Sequence, residues 1–268
     1  SDRESNNQFT SNEILYFNRS GIYLFNQDAA HVVLNKFRDN GLSSHVRSLD
    51  LSYLQNASKI NSNNIVNTST GLGYGIYLQY SKATSLLGNE VVNNSISLLS
   101  TSSSSNYGLY IRYMRYTNIH HNTVLVKGGG TTQGRAFMYV GTGSYTNNEL
   151  KNNVFVNKGG GYAFHTNSFA ISPANFSAID YNCWYTSGSV LAEWSGGKAN
   201  LSAWKSSSGF DANSISVDPQ FESDSLLRPQ VLSVNNKGTN LSVAVDIQGT
   251  SRSTSNPDPG AYEYTPPI

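Results

Sequence analysis

Hydrophobic and polar positions follow a short repeat along most of the chain. The repeat has the form apolar-x-x-Asn-x-apolar and first occurs as Phe9-x-x-Asn12-x-Ile14. Seven copies place their asparagines 23 to 33 residues apart, a spacing typical of solenoid proteins. These asparagines are Asn12, Asn35, Asn63, Asn89, Asn122, Asn153 and Asn182.

A second segment lies between successive copies and alternates apolar and polar residues with a period near two. Examples are Gly21-Ile22-Tyr23-Leu24, Gly75-Ile76-Tyr77-Leu78 and Gly108-Leu109-Tyr110-Ile111. Each repeat therefore contains at least two short strands and is too short for a crossover helix. We predict an all-β fold, a right-handed parallel β-helix of about seven coils over residues 1–186. Coils about 4.8 Å apart would stack the seven asparagines into a ladder of side-chain amides.

Residues 187–268 depart from the repeat. The segment from Val190 to Trp204 has the spacing of an amphipathic helix, and the remainder is rich in proline and serine. We predict an irregular C-terminal capping segment, packed on the last coils, that covers their open strand edge.

The composition limits the classes of function. The net charge is +1, and the sequence has no polybasic surface that would indicate nucleic acid as a partner. Since no apolar run approaches about 18 residues, we expect no membrane insertion. The single cysteine, Cys183, excludes an internal disulfide and is expected in or near the core.

The repeat resembles the right-handed parallel β-helix proteins of the pectate-lyase-like superfamily, over about residues 6–186. The runs Val217-Asp218-Pro219-Gln220-Phe221, Asp246-Ile247-Gln248-Gly249-Thr250-Ser251-Arg252 and Pro257-Asp258-Pro259-Gly260-Ala261-Tyr262-Glu263-Tyr264 are similar to the closing segment of secreted bacterial β-helix proteins. The resemblance implies a secreted or cell-surface protein that engages an extracellular polysaccharide.

Two features depart from the enzymes of that superfamily. The repeat begins almost at once, without the capping helix with which those enzymes usually start, and the chain ends in Thr265-Pro266-Pro267-Ile268. A stiff proline-rich exit of this kind commonly leads into another domain. We therefore expect the chain to be excised from a larger protein, with other domains at both ends.

A lyase of an acidic polysaccharide needs a base and a group that neutralises the substrate carboxylate. Parity places His120, Lys151 and Asp180 on one face of three consecutive coils, with Arg112 and Tyr110 able to assist from a neighbouring sheet. These are the candidate catalytic residues, and a solvated surface ion pair is the alternative interpretation. No carboxylate cluster suitable for Ca²⁺ is visible, so we expect no metal or cofactor.

The second segment also predicts an outward strip of aromatic and polar side chains. The candidate substrate-binding residues are Tyr23, Tyr77, Gln79, Tyr110, Arg112, Phe137 and Tyr139. The same parity turns His165 inward. Exposed aromatic strips commonly mark binding surfaces, although stacked rings can also serve only to stabilise the sheet. We therefore predict a carbohydrate-binding or adhesive module, with a polysaccharide lyase acting by β-elimination on a uronic-acid polymer as the alternative.

Overall fold

The computed structural model describes residues 3–167 and 172–267, and it forms a parallel β-helix. Each coil contributes one strand to each of three sheets, and the strands of successive coils pair in parallel. The short strand Gly197–Lys198 is added to the third sheet in the antiparallel direction. The predicted all-β parallel β-helix is confirmed.

The three sheets follow one another along each coil. Sheet 1 contains Gln8–Thr10, His31–Val33, Lys59–Asn61, Asn89–Val92, Thr117–His120, Asn148–Lys151 and Phe176–Asp180. Sheet 2 contains Glu13–Phe17, Lys36–Asp39, Asn64–Asn67, Ser95–Leu98, Thr123–Val126, Val154–Asn157 and Cys183–Thr186. Sheet 3 contains Ser20–Phe25, His45–Ser52, Leu72–Gln79, Asn106–Arg112, Gly134–Val140, Tyr162–Thr166, Ala192–Glu193 and Gly197–Lys198.

A few short elements complete the fold. Glu4–Ser5 pairs with Gln27–Asp28, Gly130–Gln133 and Leu201–Ser208 are α-helical, and Pro173–Asn175 is a 3₁₀-helix. The helical spacing from Val190 to Trp204 thus produces a helix only from Leu201 onward.

The asparagine ladder lies at the turn between sheets 1 and 2. Each ladder asparagine donates its side-chain NH₂ to the Oδ1 atom of the next, at 2.9–3.0 Å. The members are Asn12, Asn35, Asn63, Asn94, Asn122, Asn153 and Asn182. The assignment of Asn89 to this ladder is wrong, because Asn89 belongs to a sheet 1 strand and its Oδ1 accepts the backbone N–H of Ser58.

Sheet 3 turns a corner at which two successive residues face the interior. A Cβ at Gly75 would lie 2.3 Å from the side chain of Ile96, so this glycine faces inward together with the following Ile76. The outward residues before and after the corner are therefore three apart in sequence, as are Tyr74 and Tyr77. The outer face carries three columns of register partners, each running from coil to coil.

The columns of sheet 3 are as follows. The first contains Ser20, Arg47, Tyr74, Tyr107, Arg135 and Tyr162. The second contains Tyr23, Asp50, Tyr77, Tyr110, Met138, His165 and Glu193. The third contains Phe25, Ser52, Gln79, Arg112 and Val140.

The expected outward positions of Phe137 and Tyr139 are wrong. Both side chains are fully buried, and they pair in register with the core residues Leu109 and Ile111. His165 instead lies in the second outward column, opposite to the orientation expected from parity.

The C-terminal segment closes the solenoid and then runs back along it. Trp194 and Trp204 pack on Phe164 of the last coils. The strap, defined as residues 217–267, continues over the outer face of sheet 2, where the Tyr262 hydroxyl donates to Ser95 Oγ. Cys183 is fully buried beneath the strap, as expected. The segment therefore reaches coils in the middle of the solenoid as well as the last ones.

Candidate functional site

The outer face of sheet 3 presents stacked tyrosine rings. Tyr74 stacks on Tyr107 with 4.8 Å between ring centroids, and Tyr77 stacks on Tyr110 with 4.9 Å. The two pairs touch edge to face, since Tyr74 lies 5.1 Å from Tyr77 at an interplanar angle of 83°. Coil stacking explains this geometry, because identical residues in register lie one strand spacing apart. The rings cover one another's faces, so the stack offers mainly its edges to solvent.

Arginines lie against the ends of this stack. The guanidinium carbon of Arg47 is 4.1 Å from the ring centroid of Tyr77, and that of Arg135 is 5.1 Å from the centroid of Tyr107. Both distances are in the range of cation–π contacts. The stack is therefore a platform of packed rings with a guanidinium group near each end.

A groove opens beside the stack, toward the first coil. It has a volume of about 640 Å³ and is lined by Arg19, Ser20, Tyr23, Phe25, Arg47, Asp50, Ser52 and Gln79. Tyr23 is 61% exposed and Phe25 is 52% exposed. Unlike the stacked tyrosines, these two aromatic side chains are largely open to solvent.

Polar side chains in the groove are held in place by contacts with one another. The Tyr77 hydroxyl donates to Gln79 Oε1 at 2.8 Å, and Gln79 Nε2 donates to Ser52 Oγ at 3.1 Å. Arg47 Nη1 donates to Asp50 Oδ2 at 3.0 Å. A ligand entering the groove would meet hydrogen-bonding groups that are already ordered, which lowers the entropy cost of binding.

The structure separates the sequence-predicted binding residues into three groups. Tyr23 and Gln79 line the groove. Tyr77 and Tyr110 belong to the aromatic platform, since Tyr77 is only 7% exposed and burial raises the pKa of Tyr110 to about 12. Arg112 lies beside the platform in the third column, against the rings of Tyr80 and Tyr113. Phe137 and Tyr139 belong to the core, as described above.

The predicted catalytic residues lie partly together on sheet 1. His120, Lys151 and Asp180 are register partners on consecutive coils. Glu149, which the sequence reasoning missed, lies between them in space: His120 Nε2 is 2.9 Å from Glu149 Oε2, and Lys151 Nζ pairs with Glu149 Oε1. Hydrogen bonding to His120 and Lys151 lowers the pKa of Glu149 to about 2.

The other predicted catalytic residues do not join this cluster. Asp180 accepts hydrogen bonds from the backbone and side chain of Asn213 at 2.7 and 2.8 Å, so its carboxylate anchors the C-terminal segment. Arg112 and Tyr110 lie on sheet 3, where the Arg112 guanidinium is 4.7 Å from the ring of Tyr113. The structure thus joins His120 and Lys151 through Glu149, leaves the neighbouring Asp180 bonded to Asn213, and places Arg112 and Tyr110 on another sheet.

His120 also lines a second groove, between sheet 1 and the strap. This groove has a volume of about 320 Å³, and its polar walls include Asn61, Glu90 and Asn118. Strap residues Leu241 to Val245 form the opposite wall. The strap therefore shapes this groove as well as covering sheet 2.

Comparison with protein families finds one match over most of the chain. Residues 1–201 match the family described as periplasmic copper-binding protein (NosD). This chain belongs to the NosD family. No curated protein and no solved structure matches it. Membership supports the predicted location outside the cytoplasm: the chain is a periplasmic or extracellular β-helix protein. In the described part of the chain, no helix is long and apolar enough to cross a membrane.

Sequence reasoning missed four members of the aromatic face: Arg47, Tyr74, Tyr107 and Arg135. Strict alternation assigns outward residues to every second position, whereas the inward corner of sheet 3 separates two outward residues by three positions. The sequence did contain a signal for this corner: a glycine recurs directly before the core residue, as at Gly75 and Gly108. A Cβ at Gly108 would lie 2.1 Å from a methyl of Val124, which shows how closely the strand approaches the core there.

Proposed function

We propose that the chain is a polysaccharide-binding module whose binding surface is the outer face of sheet 3. The observation that carries this proposal is the groove of about 640 Å³, in which the open rings of Tyr23 and Phe25 lie beside Asp50, Ser52 and Gln79. Aromatic rings pack on the apolar faces of sugar rings, and the neighbouring polar groups bond sugar hydroxyls.

The shape of the surface supports a linear ligand. Equivalent positions repeat about every 4.8 Å along the solenoid axis, close to the length of one sugar unit in an extended chain. A polysaccharide that occupies the groove at Tyr23 could continue over the edges of Tyr77 and Tyr110, which follow in the same column.

A panel of neutral and acidic polysaccharides tests the proposal. Each polymer is cast into a native gel, and the protein's migration is compared with that in a gel without polymer. In parallel, the solution is followed in the ultraviolet for the unsaturated ends that β-elimination creates. Retardation by at least one polymer without new absorbance is expected. Unchanged migration with every polymer would contradict the proposal.

Lyase activity remains the second candidate because His120 lines the groove beside the strap. This candidate is weaker, since the predicted cation Lys151 is already paired with Glu149. A cation neutralised within the protein is less available to a substrate carboxylate. If the absorbance assay shows product, replacing His120 by Ala should abolish its formation, and retained turnover would eliminate this site.

The donor atoms of the chain do not fit a resident copper ion. Copper favours His, Cys and Met ligands in one cluster, yet residues 3–167 and 172–267 hold no group of three His, Cys, Asp or Glu side chains suited to a metal. Burial raises the pKa of Cys183 to about 12, which keeps it a thiol rather than the thiolate that binds metals. Met138 and His165 are register partners, but together they supply only two ligands. The proposed function therefore involves no copper.

A further inference from the structure

The charges on sheets 1 and 3 are arranged differently. On sheet 1, cations lie beside anions: Lys59 Nζ is 3.9 Å from Glu90, and Lys151 pairs with Glu149. Among the described residues, the three outward columns of sheet 3 and the groove hold four arginines but only two carboxylates, those of Asp50 and Glu193. The arginines are Arg19, Arg47, Arg112 and Arg135. Although the whole chain has a net charge of +1, positive charge is concentrated on this face.

Most of these arginines are not neutralised by the protein. Within the described residues, Arg47 is the only one of the four that forms an ion pair, with Asp50. Arg135 donates through Nη1 to the backbone oxygen of Gln133, which carries no formal charge. Arg112 stacks against the rings of Tyr80 and Tyr113. Stacking fixes the guanidinium plane and leaves its edge, where the N–H donors are, able to meet an anion.

The spacing of the arginines follows the solenoid axis. Arg47 and Arg135 occupy the same column three coils apart, or about 14 Å, with Tyr74 and Tyr107 between them. Arg112 lies in the third column, across the second column from Arg135 and one coil before it. An extended polymer along the second column would have Arg47 and Arg135 on one side and Arg112 on the other.

We propose that the outer face of sheet 3 selects an anionic polysaccharide, one that carries carboxylate or sulfate groups along an extended chain. This inference rests on the proposed function and adds the chemical class of the ligand. The guanidinium groups of Arg112 and Arg135, which form no ion pair among the described residues, recognise the anionic groups, because arginine matches the geometry of these oxyanions with paired N–H donors. The open rings at Tyr23 and Phe25 hold the sugar ring itself.

Three polymers with one extended backbone test the selection. Hydroxyethylcellulose is neutral, carboxymethylcellulose carries carboxylates, and cellulose sulfate carries sulfates. The affinity of the unmodified protein for at least one of the charged polymers should exceed that for the neutral polymer by about tenfold or more. It should also fall by about tenfold between about 0.05 and 0.5 M NaCl, because added salt screens exposed charges. The charged polymer that binds more tightly, carboxymethylcellulose or cellulose sulfate, shows whether the surface prefers carboxylate or sulfate groups.

A double variant, Arg112→Gln with Arg135→Gln, tests the residues. Its affinity for the preferred charged polymer should fall at least about tenfold, and by a clearly larger factor than its affinity for the neutral polymer. The matched control is Lys36→Gln with Lys59→Gln, which removes two charges from sheets 2 and 1. This control should bind as the unmodified protein does, and thermal melts verify that both variants fold.

The outcomes separate the inference from the proposed function. Equal retention of neutral and charged polymers, insensitive to salt, would overturn the anionic selection and leave polysaccharide binding standing. An equal loss of affinity in the lysine control would overturn the role of the sheet 3 arginines. Failure to retain any polymer, in this experiment and in the wider panel, would overturn both proposals. The salt dependence of the unmodified protein keeps the test decisive even if the double variant fails to fold.

Discussion

The side-chain amide of Asn182 donates to the carboxylate of Asp211 at 3.3 Å, which ends the asparagine ladder on a buried carboxylate. The indole N–H of Trp184 donates to the same carboxylate at 3.0 Å. The indole N–H of Trp204 and the hydroxyl of Ser214 also donate to it. Burial raises the pKa of Asp211, while these hydrogen bonds lower it. An ionised carboxylate suits this position because it only accepts hydrogen bonds and all four partners are donors.

We predict that Asp211→Asn lowers the free energy of unfolding by about 1–3 kcal/mol. The new NH₂ group would oppose an indole N–H and leave buried donors without acceptors. The matched control is Asp224→Asn, which breaks the exposed ion pair with Lys127 and should cost less than about 1 kcal/mol. Urea denaturation measures both, and equal stability of the two variants would contradict this account of the ladder's end.

A second prediction compares two buried asparagines of one coil. Asn94→Ala should cost more than about 2 kcal/mol, because it removes the acceptor of Asn63 and the donor to Asn122 within the ladder. Asn89→Ala should cost about 1 kcal/mol, because it removes only the acceptor of the Ser58 N–H. Chemical denaturation of the two variants ranks them, and a larger loss for Asn89→Ala would restore the assignment made from sequence.

These two positions show how far the sequence could specify the fold. The repeat predicted the solenoid and six of the seven ladder asparagines, because stacked coils require the same turn residue in each coil. It misplaced the seventh because the pattern occurs twice in succession, once with Asn89 and once with Asn94 as its asparagine. The spacing within one coil cannot decide which of the two asparagines joins the ladder. The pairing with the neighbouring coils decides it.

The candidate site was predicted less completely for a related reason. Ala136 occupies the small inward position that Gly108 fills in the preceding coil, so that Phe137 becomes the core residue. Alternation alone assigned Ala136 to the core and Phe137 to the surface. The error shifted the predicted outward residues by one position in two coils, so Arg135 was not predicted to lie on the outer face. The corner of the coil turns two consecutive residues inward. A strict alternation of inward and outward residues cannot predict this.

A third prediction concerns the tyrosine stack. Tyr77→Ala should lower the free energy of unfolding by about 3 kcal/mol, since it removes a buried ring that contacts both Tyr110 and Arg47. Tyr77→Phe keeps the ring and loses only the hydrogen bond to Gln79, so it should cost about 1 kcal/mol. Thermal and urea denaturation compare the two. A Tyr77→Ala variant as stable as Tyr77→Phe would show that the ring stack does not stabilise the sheet.

A fourth prediction follows from the low pKa of Glu149, about 2. Because this pKa lies below the ordinary value of 4.5, ionised Glu149 stabilises the folded state above about pH 4.5, and the contribution disappears as the pH falls toward 2. Replacing Glu149 by Gln should therefore cost most near neutral pH and progressively less in acid.

The measurement is the difference in unfolding free energy between the unmodified protein and the Glu149→Gln variant from pH 7 to pH 2.5. Burial raises the pKa of Asp258 to about 6, but both proteins share that group, so its effect cancels in the difference. A difference that stays constant over this range would show that the contacts of Glu149 with His120 and Lys151 do not depend on its charge.

The open rings at the groove provide the last prediction and the most direct test of polysaccharide binding. The affinity of the double variant Tyr23→Ala, Phe25→Ala is measured against the polymer that the unmodified protein retains best. The control is Tyr16→Ala, whose ring is 73% exposed and lies on sheet 2, outside the groove. Each ring contact contributes about 0.5–1.5 kcal/mol, so the double variant should bind about 5- to 150-fold more weakly, with thermal melts verifying that it is folded at the temperature of the assay. Binding as tight as that of the Tyr16→Ala control would contradict the account.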